Sequence, residues 1–147
     1  MFVSLTNNNF FLKILSLFSL VRGYNIIFII FAQLVSSIFI FSNSNNIYQV
    51  LLDENIWFII LSTSTSISAG YIINNFYDSG KDLINRPLKT ILENEISGRT
   101  KLFAYLILNF FTILFSVLVS LKALIFFSFY TLGLSLIHIS EPTRQFR

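Results

Sequence analysis

Asn74, Asp78 and Asp82 recur at intervals of four in an otherwise oily sequence. On a helix such residues share a face, each about 6 Å beyond the last along the axis. Two carboxylates and a carboxamide are hard oxygen ligands. They suit Mg²⁺, which favours one or two carboxylates plus substrate phosphates over an all-protein cage. Lys81, Arg86 and Lys89 follow closely. Arg can fork onto a phosphate, whereas Lys acts as a point charge. One surface would therefore offer metal ligands and anion donors together, as a bound metal diphosphate requires. The plainer reading is a charged loop whose Asp residues cap the preceding helix and balance the Lys and Arg.

The wording of the stretch separates these readings. It resembles the first aspartate-rich motif of the UbiA-type membrane prenyltransferase superfamily, N-D-x-x-D-x-x-x-D followed by N-R-P. Asn74, Asp78 and Asp82 match the motif's Asn, second Asp and third Asp, and Asn85-Arg86-Pro87 matches N-R-P. Lys89 falls where a basic residue is common. Asn75 departs, standing where the motif has its first Asp, so one negative charge is absent. Arg22-Gly23-Tyr24-Asn25 is similar to the Arg-x-x-Asn that opens the family's first membrane helix. The run from Gly70 to Asp78 looks closest to bacterial relatives of the geranylgeranylglyceryl-phosphate geranylgeranyltransferases.

The resemblance implies a multi-helix membrane bundle in which two aspartate-rich motifs hold a prenyl diphosphate through Mg²⁺. Metal ligation would fall to Asn74, Asp78 and Asp82, and diphosphate contacts to Lys81, Arg86, Lys89, Arg22 and Asn25. The reaction is ionisation of the allylic C–O bond and attack by a lipid or aromatic acceptor. Ionisation requires positive charge set against the departing diphosphate more than it requires a base or a nucleophile. Only one such motif is found here, so the chain reads as an N-terminal portion that presents half a metal site and is inactive alone. A non-catalytic membrane scaffold or subunit and a transporter fragment are the alternatives. A transporter would more often bury its acids within a span.

The elements that would position these residues are apolar helices. Of the 147 residues 54% are hydrophobic and only 12% are charged. A soluble domain carries about 25% charged residues, so the composition indicates an all-α integral membrane protein in contact with the lipid bilayer. The net charge of +3 is modest and its cations cluster beside apolar segments, which argues against a nucleic-acid partner. With no Cys, disulfides, thiolate catalysis and Cys-based metal sites are excluded.

Residues 1–21 read as an interfacial helix, with Phe10, Phe11, Ile14, Leu15, Leu17 and Phe18 apolar and Ser16 and Ser19 on other faces. A cleaved signal peptide is the rival, although it lacks an early positive charge and a small-residue cleavage site. Spans are expected over 24–41, 57–77 and 102–119, with 123–136 most of another. That makes about four of the roughly nine that the family would have. Asn25 and Gln33 should face other helices or a cavity, since lipid offers no partner. The hydroxyl-rich run Ser62-Thr63-Ser64-Thr65-Ser66 suits close packing with hydroxyls bonded to backbone carbonyls, and one side of it could line a cavity leading to the ladder.

The segment 78–100 is the one substantial polar loop, carrying Lys81, Arg86, Lys89 and Arg99 with Lys101 at its edge. The positive-inside rule puts this loop and the N-terminus in the cytoplasm and leaves Asp53 outside; the resemblance to bacterial relatives implies the inner membrane of a bacterial cell. Pro87 should end any helix through Asp82. Residues 88–96 could form a short covering helix stopped at Ser97-Gly98, or simply connect. Lys122 is expected in a tight external turn, snorkelling to the interface. Asn109 reads as a packing residue, and His138 has no supporting partner nearby. Residues 1–134 form the membrane domain. Residues 135–147 resemble a translated sequencing-adapter tail, a genuine cytosolic tail being the alternative.

Overall fold

The computed structural model describes the backbone of residues 9–41, 47–85 and 96–140, and the side chains of 14–41, 47–77 and 96–135. Every described element is helical: α1 (Asn9–Leu20), α2 (Gly23–Phe41), α3 (Ile47–Leu51), α4 (Glu54–Asn85), α5 (Gly98–Val119) and α6 (Leu121–Ser140). Three segments are long and apolar enough to cross a membrane: Gly23–Phe41, Glu54–Tyr77 and Gly98–Val119. Within α6 the apolar helix Leu121–Ser135 is shorter. The all-α expectation holds, and three segments of spanning length are compatible with an integral membrane protein.

Helix α4 is the hub. It packs against α1, α2, α5 and α6, with its largest contact against α5. Its 32 residues span about 48 Å at 1.5 Å per residue, against a hydrocarbon core about 30 Å thick. The helix therefore runs on past its apolar segment, and positions 78 and 82 lie on that continuation. The sequence left residue 78 either on a continuing helix or at the start of a polar loop; the backbone is helical through Asn85.

Apolar cores form towards the two ends of α4. Near its start Ile56 and Ile60 join Val50, with Ile30, Leu34 and Ile38 of α2 against them. Towards the other end Ile72 meets Leu20 and Ile96, flanked by Val21, Ala104, Tyr105 and Leu108. Between them the α4–α5 seam is made of small polar residues. Ser62, Ser66, Thr112 and Ser116 are all buried there. Such residues let two backbones approach closely; Thr112 and Ser116 donate to carbonyls of their own helix, whereas the Ser62 and Ser66 hydroxyls have no hydrogen-bond partner among the described residues. Thr63, Ser64 and Thr65 each donate to the carbonyl four residues back, and Thr65 Oγ1 lies 2.9 Å from Thr112 Oγ1 across the seam. The hydroxyl run is thus a packing device, as its composition suggested.

Helix α1 is turned opposite to the usual soluble amphipathic arrangement. Ser16 is wholly buried while Ile14, Leu15, Leu17 and Phe18 are exposed. An outward apolar face against α2 and α4 suits contact with lipid.

Ser97-Gly98 opens a helix: Ser97 is the N-cap of α5, its side chain accepting from the Thr100 amide. One local expectation needs correction. Lys122 lies inside the first turn of α6, because Ser120 alone separates it from α5 and its hydroxyl accepts from the Ala123 amide. Helix α6 also runs without a break through 135–140, so the backbone marks no boundary at Leu134. The short helix expected over 88–96 lies outside the described residues except for Ile96, and residues 141–147 lie wholly outside them.

Candidate functional site

The α1–α2 corner is built on an unusual backbone. Arg22 has φ 51°, a left-handed conformation that costs a non-glycine residue roughly 1 kcal/mol. The carbonyl of Arg22 accepts from the Asn25 amide at 2.8 Å, so the same residue begins α2. Gly23 is needed beside it, since a Cβ there would fall within 2.1 Å of the Phe18 ring. The corner thereby aims the Arg22 side chain back towards α4, where its guanidinium carbon lies 5.0 Å from the centre of the Tyr71 ring. That is within range of a cation–π attraction. One turn into α2, Asn25 Nδ2 donates to the Tyr71 hydroxyl at 3.2 Å. Further along, Gln33 Nε2 donates to Thr63 Oγ1 at 3.0 Å. Asn25 and Gln33 therefore both face α4, as lipid's lack of partners demands.

These contacts wall a cleft of about 410 Å³ lined by Arg22, Ile29, Ile67, Gly70, Tyr71, Asn74, Tyr130 and Leu134. Its composition is graded. Arg22, Tyr71 and Asn74 make a polar end, and Ile29, Ile67 and Leu134 an apolar one. Ile67 and Tyr130 also line a smaller pocket of about 150 Å³ with Thr63, Ser66, Phe126 and Phe127. The Ser66 hydroxyl, buried at that pocket, has no hydrogen-bond partner among the described residues. One flank of α4 thus runs from hydroxyl-bearing residues to Asn74 along connected cavities, alongside its packing role against α5.

Of the residues singled out from the sequence, Arg22 and Asn74 come together at the cleft, and Asn25 reaches it through Tyr71. Positions 78, 81 and 82 lie on α4 beyond Asn74, with their side chains outside the described residues; Arg86 and Lys89 lie outside altogether. Among the described residues no group of three His, Cys, Asp or Glu is assembled. The donor set itself fits Mg²⁺ chemistry. Asn74 is exposed on the cleft wall, and the unbroken helix puts positions 78 and 82 one and two turns further on.

The neighbouring residue behaves differently. Asn75 is buried against α5, and Lys101 Nζ donates to its Oδ1 at 2.8 Å. Lys101 is only 4% exposed, although the sequence suggested a residue at the edge of a polar loop. Its place could have been noticed. A lysine in the first turn of a helix opposes the macrodipole and needs a reason to be there. Tyr71 and Tyr130 were also passed over, because aromatic residues in an aromatic-rich chain read as packing. Asn109 is as expected, donating to the Tyr105 carbonyl one turn back.

The described fold is thus all-α, with three helices of membrane-spanning length and a cleft, lined from the α1–α2 corner, α2, α4 and α6, that is cationic at one end and apolar at the other. Compared with known proteins, the chain matches no family model, no curated protein and no solved structure.

Proposed function

We infer that this chain forms the diphosphate-binding half of a UbiA-type membrane prenyltransferase in the bacterial inner membrane. The observation that supports it is the meeting of Arg22 and Asn74 in one cleft. They belong to the two separate stretches whose wording resembles that family. The held arginine adds weight, because a strained backbone survives where its side chain has a task.

In this reading the polar end of the cleft takes the diphosphate of an isoprenyl donor and the apolar end admits its tail. Asn74, Asp78 and Asp82 would hold Mg²⁺, and when bound it would supply positive charge to the leaving diphosphate. Arg22 offers a planar fork to phosphate oxygens. Lys81 on α4, and Arg86 and Lys89 after it, would add cations. Both charge and apolar surface are directed at the bond that breaks, which favours the separated ions over the intact ester. The acceptor is a membrane lipid or an aromatic compound. The N-terminus and the cation-bearing segment after α4 lie on the cytoplasmic side.

A transporter reading has less support. The acids whose side chains are described, Asp53 and Glu54, are exposed just before and at the first residue of α4, at the end of a span and not in its middle. The test is binding of farnesyl diphosphate to the purified chain in lipid nanodiscs, with and without Mg²⁺. Mg²⁺-dependent binding lost in Asp78→Asn and Asp82→Asn supports the reading. Equal binding after Mg²⁺ removal, or in both variants, overturns it.

A further inference from the structure

Helix α1 has a thin hold on the rest of the protein. Of its described side chains only Ser16 and Leu20 are buried, and Leu20 is the one apolar residue among them. Ile14, Leu15, Leu17 and Phe18 all point outward and are 38–48% exposed. In water the hydrophobic effect would turn such a helix the other way round.

The place of α1 in the fold says what covers its outer side. A two-residue corner joins it to Gly23, the first residue of a segment of spanning length. Leu20 packs with Ile72, which lies within the last two turns of a second such segment, Glu54–Tyr77. Both segments therefore have an end at the level of α1, where the hydrocarbon core gives way to headgroups. An amphipathic helix in that plane sinks its apolar face several Å into the lipid.

The corner ties this seat to the cleft. The Val21 amide donates to the Leu17 carbonyl at 3.0 Å, and the Arg22 amide to the Ser19 carbonyl at 3.1 Å. The Phe18 ring occupies the space beside Gly23. The last turn of α1 thus fixes the direction in which the Arg22 side chain leaves the backbone. A left-handed conformation at a residue with a Cβ persists only where its surroundings over-determine it. Tyr71 supplies one side of those surroundings and α1 the other.

We propose that α1 is a strap seated in the bilayer, and that the lipid interface, by covering Ile14, Leu15, Leu17 and Phe18, keeps Arg22 over Tyr71 at the polar end of the cleft. The partner of this surface is the boundary between headgroups and acyl chains. When α1 leaves the lipid, the corner loosens and the guanidinium leaves its place, so the cationic end of the cleft answers to the membrane surface.

The test uses the full chain in phosphatidylcholine nanodiscs. The chain has no cysteine, so Leu15→Cys takes a single spin label. That label should collide with dissolved oxygen more often than with a water-soluble nickel chelate; the reverse order in the folded chain overturns the proposal. The second readout is the fluorine resonance of 3-fluorotyrosine at Tyr71, identified by its loss in Tyr71→Phe. Arg22→Ala gives the position of that resonance for a ring without its guanidinium. The acidic pair Ile14→Glu, Leu17→Glu should move the resonance to the Arg22→Ala position, and should move it no further in the Arg22→Ala background. The exchange Ile14→Leu, Leu17→Ile should leave it in place. An unchanged resonance in the acidic pair overturns the proposal. Should circular dichroism show the acidic pair unfolded, Ile14→Ser, Leu17→Ser decides by the same resonance. This readout does not depend on the diphosphate reading above. If that reading holds, the acidic pair also binds pyrophosphate about tenfold more weakly; unchanged pyrophosphate binding in Arg22→Ala would count against that reading, while the Tyr71 resonance still judges the strap.

Discussion

The Arg22 guanidinium and the Tyr71 ring stand face to face at 5.0 Å, and the hydroxyl of the same ring accepts from Asn25. One tyrosine on α4 therefore holds both polar residues of the α1–α2 corner. The two attractions use different parts of the ring, so they can be separated by mutation. Tyr71→Phe keeps the π face and removes the acceptor of Asn25. A loss of about 0.6 kcal/mol is expected, the average for a hydrogen bond between membrane helices. Tyr71→Leu removes both and should weaken pyrophosphate binding by loosening Arg22. Chemical unfolding in mixed micelles and calorimetric binding would read the two effects separately.

Arg22 sets backbone strain against function. In Arg22→Gly the left-handed conformation becomes free of strain, so thermal stability should rise, by up to about 1 kcal/mol less the lost cation–π contact. Affinity for pyrophosphate should fall at least tenfold. Arg22→Ala keeps the strain and loses the contact, so it should be the less stable of the two. A Tm order with alanine above glycine would contradict the role given to the backbone.

Gly70 lines the cleft, and a Cβ added there would meet only Leu134, at 3.4 Å. That is ordinary van der Waals contact. Gly70→Ala should therefore fold and bind normally. Gly70→Leu would fill the apolar end of the cleft. It should exclude farnesyl diphosphate while leaving inorganic pyrophosphate binding within about twofold, by the difference between a blocked tail and an intact headgroup site. Parallel titrations with the two ligands check this.

Gln33 and Thr63 join the middles of α2 and α4. Thr63→Val leaves the Gln33 amide without that acceptor and should destabilise by about 0.6–1.7 kcal/mol. Gln33→Leu with Thr63→Val removes both polar groups and should recover most of the loss, since unmade buried hydrogen bonds cost more than absent ones. A double-mutant cycle under reversible unfolding would measure the coupling.

The chain holds a single aspartate-rich segment, Asp78 and Asp82. Incubated with farnesyl diphosphate, Mg²⁺ and either class of acceptor, it is expected to bind the donor without turnover. Product formation by the purified chain would show that one carboxylate motif suffices.

Composition and periodicity determined much of this protein. Long runs without charge can satisfy their backbone in lipid only as helices, so the three long helices and the inward turn of Asn25 and Gln33 were legible in the residues themselves. The tertiary structure decided what depends on distant partners. Asn75 and Lys101 looked like a motif irregularity and a loop cation until α4 and α5 were packed together. Nothing local announces that Arg22 adopts a left-handed backbone or that its side chain lies on Tyr71. Spacing along a helix names the residues that share a face. Only packing says what that face meets, because the energy of a buried polar group is set by its neighbours in space.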